Sequence, residues 1–158
     1  MSFVIIVDNC TLSALHKINK LDILSCLFKK ILIPVAVQNE FCWGWKEILD
    51  NESFELAQMT PQSSNLVVET GKFRNLGRGE QECILWGLQT NLPVATDDLE
   101  VRKLCKTLGI TIIGTLGRCR LAYQKGCYKT RDQYLEAINN LQKDLYLSQE
   151  LVQWALDV

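Results

Sequence analysis

The sequence predicts a three-layer α/β fold, with a parallel sheet of four or five strands flanked by helices. Three observations point there. The second half alternates helix, strand, helix, strand and helix with short loops, the pattern of right-handed parallel βαβ units. The chain opens on Phe3-Val4-Ile5-Ile6-Val7, apolar throughout and β-branched at all but one position, which reads as a buried strand. Acids stand where strands hand over to helices: Asp8 after the first run, Asp97 and Asp98 after Leu92-Pro93-Val94-Ala95-Thr96. In open α/β sheets, ligands bind at the carboxyl ends of strands, near the switch in strand order.

Each element has its own signal. Leu12, Leu15 and Ile18 recur at helical spacing over residues 11–18, and a short helix is expected over 21–28. Ile31-Leu32-Ile33 reads as a strand, followed by Pro34 at a helix N1 position, where its missing N–H costs nothing. That helix is expected to run through Val37, Glu40 and Phe41 toward Leu49, and residues 50–53 to form a loop. A strand at 54–57 and a helix over 62–72 come next. Gly77-Arg78-Gly79 launches a helix from Glu80 to Thr90. Strands at 92–96 and 110–113 flank a helix over 98–108 that ends at Gly109. Gly114 and Thr115 open a helix ending near Gly126, an amphipathic helix covers 130–143, and Ser148 caps a last one to Leu156.

Composition bounds the function. A chain of 158 residues, 47% hydrophobic and 22% charged, suits one soluble domain over 1–158. No run approaches the ~20 apolar residues of a membrane span, and the N-terminus lacks signal-peptide features, so a cytoplasmic location is expected. The seven cysteines show no C-x-x-C pair and there is one histidine, which disfavours a zinc finger or ribbon. The cysteines are therefore expected to be small buried hydrophobes in a reducing compartment. Between Leu99 and Arg131 eight bases meet one acid, Glu100, although the whole chain carries −1. Such a basic flank suits a polyanion held by its backbone, or else solvated helix faces.

Taken singly, the acids have structural readings. Asp8 suits a helix N-cap, Glu40 an exposed helix position, and Glu80 and Glu82 a first helical turn favoured by the dipole. Asp97 with Glu100 has capping-box spacing, which leaves Asp98 freer to face a ligand. Together they allow acids from distant parts of the chain to meet and hold a hard divalent cation. Trp43 and Trp45 suit either a partner-binding patch or the core, and His16 a helix surface.

The blocks that carry these residues are Val7-Asp8-Asn9-Cys10-Thr11-Leu12, Ile33-Pro34-Val35-Ala36-Val37-Gln38-Asn39-Glu40-Phe41, Leu76-Gly77-Arg78-Gly79-Glu80-Gln81-Glu82 and Thr96-Asp97-Asp98-Leu99-Glu100-Val101-Arg102. Leu108-Gly109-Ile110 and Ile113-Gly114-Thr115-Leu116-Gly117 extend them. In order and spacing the chain resembles the PIN-domain nucleases over nearly its whole length, and more narrowly the toxins of VapBC-type toxin–antitoxin pairs. It departs at Asn9 and Cys10, where the family usually carries one or two small hydroxyl residues; Thr11 comes third.

The resemblance implies catalytic acids Asp8, Glu40, Glu80 and Asp98, with Asp8, Glu80 and Asp98 nearest the metal and Asp97 the rival fourth ligand. It implies support from Asn9, Thr96 and Thr115, and Mg2+ or Mn2+ as cofactor. The implied reaction is hydrolysis of single-stranded RNA by a metal-activated water, with an antitoxin protein and a homodimer as the expected partners. Arg102, Lys103 and Arg118 are candidates to hold the RNA backbone. Two rivals stand beside this reading. One is a PIN scaffold without turnover that binds RNA or protein. The other is a receiver-like signalling domain, disfavoured because only Asp8 follows the first strand and no Asp follows Ile31–Ile33.

Overall fold

The opening apolar run forms β1 (Val4–Val7), the central strand of a five-stranded sheet. The computed structural model describes residues 4–63, 71–144 and 147–157. Beside β1 lie β2 (Lys30–Ile33), β3 (Phe54–Leu56), β4 (Val94–Ala95) and β5 (Ile112–Ile113), in the spatial order β3-β2-β1-β4-β5. Every pair is parallel, with Ile5 opposite Ile31 and Ile6 opposite Val94. Parallel strands are covered on both faces, and Ile5, Ile6, Val7, Ile31 and Ile33 are accordingly fully buried.

Ten helices flank the sheet among the described residues, so the three-layer α/β expectation holds. They are α1 (Asn9–Lys17), α2 (Asp22–Leu27), α3 (Val35–Glu40), α4 (Trp45–Leu49), α5 (Gly71–Arg74), α6 (Arg78–Thr90), α7 (Leu99–Leu108), α8 (Thr115–Gln124), α9 (Arg131–Asp144) and α10 (Gln149–Leu156). Helix α6 lies over β1 and β4 and packs on α3 and α7, while α8 packs on α1, α2, α9 and α10. None of the described helices is long and apolar enough to cross a membrane.

Several boundaries differ from the sequence reading. The helix expected from Pro34 to Leu49 is two helices. Gly44 sits between them at φ +84°, a left-handed conformation that a helix interior excludes and glycine tolerates. Pro34 occupies the N-cap rather than N1, with φ −59° and no side-chain cap to offer. Helix α6 starts at Arg78, two residues early, because the Glu80 carboxylate reaches back to the Gly77 N–H. Most of the helix expected over 62–72 lies outside the described residues; 71–74 are helical.

The cysteines need a correction. Cys26, exposed on α2, pairs with Cys127, the residue after the left-handed Gly126 that follows α8, as a disulfide with Cα atoms 6.3 Å apart. Spacing could not show this, because 101 residues separate the two. Cys83, Cys105 and Cys119 are buried as expected, whereas Cys10 and Cys42 are exposed.

Candidate active site

The strand order changes direction between β1 and β4, and there both strands end in acids. Asp8 closes β1 and caps α1: its Oδ1 accepts the Thr11 N–H at 2.8 Å. The residue is 3% exposed, and its second oxygen, Oδ2, is buried with no well-formed hydrogen bond. Burial pushes the Asp8 carboxyl above the ordinary range; the Thr96 and Thr11 bonds and the Arg118 guanidinium oppose that shift. Capping and ligand binding are thus not rivals at Asp8, since the cap uses one oxygen and leaves the other. An unsatisfied buried acceptor costs about 1–3 kcal/mol, which argues for a partner in the working state.

The two acids after β4 divide their work differently from the capping-box expectation. Asp98, not Asp97, is the N-cap of α7, with Oδ1 accepting the Val101 N–H at 3.0 Å. Asp97 instead crosses to the start of α8, where Oδ1 accepts the Thr115 N–H at 2.7 Å and Oδ2 accepts the Thr115 hydroxyl. Both Asp97 oxygens are therefore committed to α8, while Asp98 uses one for its cap. Thr96, fully buried, accepts the Asp98 N–H at 3.2 Å and so fixes the turn between the strand and its acids.

Glutamates close the other side. Glu80 accepts the Gly77 N–H through Oε2 at 3.1 Å. Burial pushes its carboxyl up, the Gly77 bond opposes this, and Asp98, Asp8 and Glu40 push it further up. Glu40, exposed at the end of α3, accepts the Gly79 N–H at 3.1 Å, so it sits on the positive N-terminal end of α6. A Cβ at Gly79 would lie 2.8 Å from Glu40 Oε2, so the glycine makes that approach possible. Glu82 faces elsewhere: it accepts the Ala36 N–H at 3.0 Å and caps α3 in place of Pro34.

These acids share one field. Glu80 feels Asp98, Asp8 and Glu40, and the Cys10 thiol, exposed at the surface yet partly desolvated by the groups around it and so pushed up to about 11, also feels Asp8, Glu80, Asp98 and Asp97. Yet among the described residues no group of three or more His, Cys, Asp or Glu is gathered tightly enough to ligate an ion. Two features still fit a hard divalent cation. The donor set is all carboxylate, which such cations prefer, and Asp8 Oδ2 is a buried acceptor that receives no well-formed hydrogen bond, although the Thr96 hydroxyl lies close enough to influence the carboxyl.

Arg118 corrects an expectation. It is fully buried, so it cannot reach an RNA phosphate from this position. Its guanidinium donates to Ile113 O at 2.5 Å, Thr115 Oγ1 at 2.6 Å and Thr11 Oγ1 at 3.3 Å. Guanidinium only donates, so each threonine must point its own proton elsewhere: Thr115 toward Asp97, Thr11 toward Ala95 O at 3.1 Å. Arg118 thereby fixes both hydroxyls and supplies a buried positive charge that Asp97 and Asp8 offset. The sequence held the signal, since position 118 shares the helix face of Thr115 and Ala122, a stripe meant for burial. Arg102 is half-buried, and Lys103 is exposed beside Glu100 at 3.6 Å. Asn9 accepts the Ser13 hydroxyl at 3.4 Å within α1.

No curated protein and no solved structure gives a significant match to the chain. A family model described as a PIN domain matches residues 4–158, which include every acid of the site. PIN domains are generally nucleases and typically use divalent metals. With the parallel sheet, the switch-point acids and this match in agreement, the chain belongs to the PIN-domain family.

Proposed function

We propose that this chain is a divalent-cation-dependent endoribonuclease acting on single-stranded RNA, as the toxin of a toxin–antitoxin pair. The observation that carries the catalytic part is Asp8 Oδ2, a buried carboxylate oxygen with no well-formed hydrogen bond, among acids from β4 and α6. Asp8, Glu80 and Asp98 would hold Mg2+ or Mn2+. Glu40, anchored on α6, would position the attacking water. When bound, such a cation stabilises charge on the phosphate and acidifies water. Asp97 is the lesser candidate, because Thr115 takes both its oxygens. Arg102 and Lys103 would hold the RNA backbone from the flank of α7. The toxin role rests on the sequence resemblance, and an antitoxin and a homodimer follow from it as partners.

One observation favours the second reading, a PIN scaffold that binds RNA or protein without turnover. Each candidate acid already accepts a backbone N–H, and the described acids form no ligating group. The discriminating experiment is cleavage of single-stranded RNA by purified protein with Mn2+. Cutting that stops on chelation and in Asp98→Asn and Glu80→Gln supports the nuclease. RNA binding without cutting, across substrates and metals, supports the scaffold.

A further inference from the structure

We propose that the groove between α7 and α10 seats a base of single-stranded RNA, stacked on Trp154 with its phosphate on Arg102. The inference rests on the ribonuclease reading and adds where the substrate lies. The groove encloses about 420 Å³, and Asp97, Leu99, Arg102, Gly114, Leu151 and Trp154 line it. Asp97 places one end beside the acid site. At that end Gly114 lets two charged groups come together. A Cβ there would lie 2.8 Å from Arg102 Nη1 and 3.2 Å from Asp97 Oδ1.

The walls beyond are apolar and open. Leu99 is 67% exposed, Trp154 41% and Leu151 38%, values that ordinary packing does not explain for three neighbouring large side chains. The groove itself carries one acid, Asp97, held by Thr115, and one base, Arg102. The Arg120 guanidinium covers one face of the Trp154 ring, 4.2 Å from its centroid, and does not line the groove, so a base would use the part of the ring turned to the groove. Past Leu99 and Arg102 the surface continues into a second hollow bearing Lys103 and Lys106.

Charge complementarity selects the occupant. An aromatic platform inside a positive groove is how proteins hold single strands, with bases stacking and phosphates meeting the cations. A duplex hides its base faces in the stack and has nothing to offer Trp154. An apolar helix of a partner protein would match the floor but would waste the Arg102, Lys103 and Lys106 rim unless it were acidic.

The test uses the full chain carrying Asp98→Asn, so that RNA is bound and not cut, and a short fluorescein-labelled unstructured RNA read by anisotropy. Trp154→Ala is expected to weaken binding about tenfold, and Trp154→Phe, which keeps a stacking face, to stay within about threefold. Neither should change the salt slope, whereas Arg102→Ala should reduce it by roughly 0.7. Leu99→Asp alters an exposed first-turn residue where an acid suits the helix, so the fold survives, and a negative charge at the groove mouth should also weaken binding about tenfold. Unchanged affinity in folded Trp154→Ala and in Leu99→Asp would overturn the proposal. So would a Trp154→Ala effect on oligomeric mass with RNA affinity intact, which would mark a protein interface. If the chain with Trp154 in place binds no RNA at all, the ribonuclease reading fails, and this inference with it.

Discussion

Asp8 makes the account testable at the scale of one residue. Its carboxyl and that of Glu80 are raised above the ordinary range, first by burial. A raised carboxyl binds more protons in the folded than in the unfolded chain between the two pKa values, so stability falls as pH rises through that window. Without divalent ions, the protein is therefore expected to lose melting temperature as pH climbs past the ordinary carboxylate range. Mn2+ should restore it, because a ligand that binds only the folded state stabilises by mass action. Asp8→Asn should flatten both effects, since asparagine still caps α1 but removes the buried charge. In chelator it should be more stable than wild type by about 1–2 kcal/mol, at the low end of the cost of an unsatisfied buried group. A calorimetric scan across pH, with and without Mn2+, checks this; a wild-type melting temperature insensitive to both would contradict it. Arg118→Met is expected to destabilise by about 3–5 kcal/mol, because it leaves Asp97 and Asp8 without their buried counter-charge. Urea unfolding measures that loss, and a change under 1 kcal/mol would show the guanidinium to be dispensable.

At the scale of elements, the site is a set of helix ends. Asp8 caps α1, Asp98 caps α7, Glu40 sits on α6 and Asp97 on α8. This explains what the sequence could and could not show. Asp8 and Asp98 follow their strands directly, so their places were legible from the apolar runs before them. That Asp97 and Glu40 cap helices 18 and 39 residues away was not, because the partner is tertiary. Burial of Arg118 was readable from the stripe but was outweighed by the run of bases around it. Gly79 tests the arrangement. Alanine would normally stabilise a helix by about 0.5–1 kcal/mol over glycine, but its Cβ would displace the Glu40 carboxylate and forfeit about 1 kcal/mol of hydrogen bond. Gly79→Ala should thus melt close to wild type while losing RNA cleavage, and Glu40→Gln is expected to lose it equally. Full cleavage in Gly79→Ala would remove Glu40 from the site. The Cys26–Cys127 bond joins α2 to the segment after α8 across a long loop, for which chain entropy gives roughly 4–5 kcal/mol. Reductant, or Cys26→Ser, should lower the melting temperature by about 10 °C or more; no shift would mean that the thiols stay apart in solution.

At the scale of the whole molecule, sheet topology assembles the acids. The parallel order was legible from the βαβ alternation, and the switch between β1 and β4 brings Asp8 within the field of Asp98 and Glu80 although the three are far apart in the chain. Metal binding was not legible from the fold alone, since each acid also has a capping role that needs no ion. The central claim is that a divalent cation completes this arrangement by taking up Asp8 Oδ2. The most direct measurement is anomalous diffraction from crystals of the protein soaked in Mn2+. A peak about 2.1 Å from Asp8 Oδ2 is expected, shared with Glu80 or Asp98 and lost in Asp8→Asn. Strong Mn2+ peaks elsewhere, with no metal on Asp8 Oδ2, would contradict that claim.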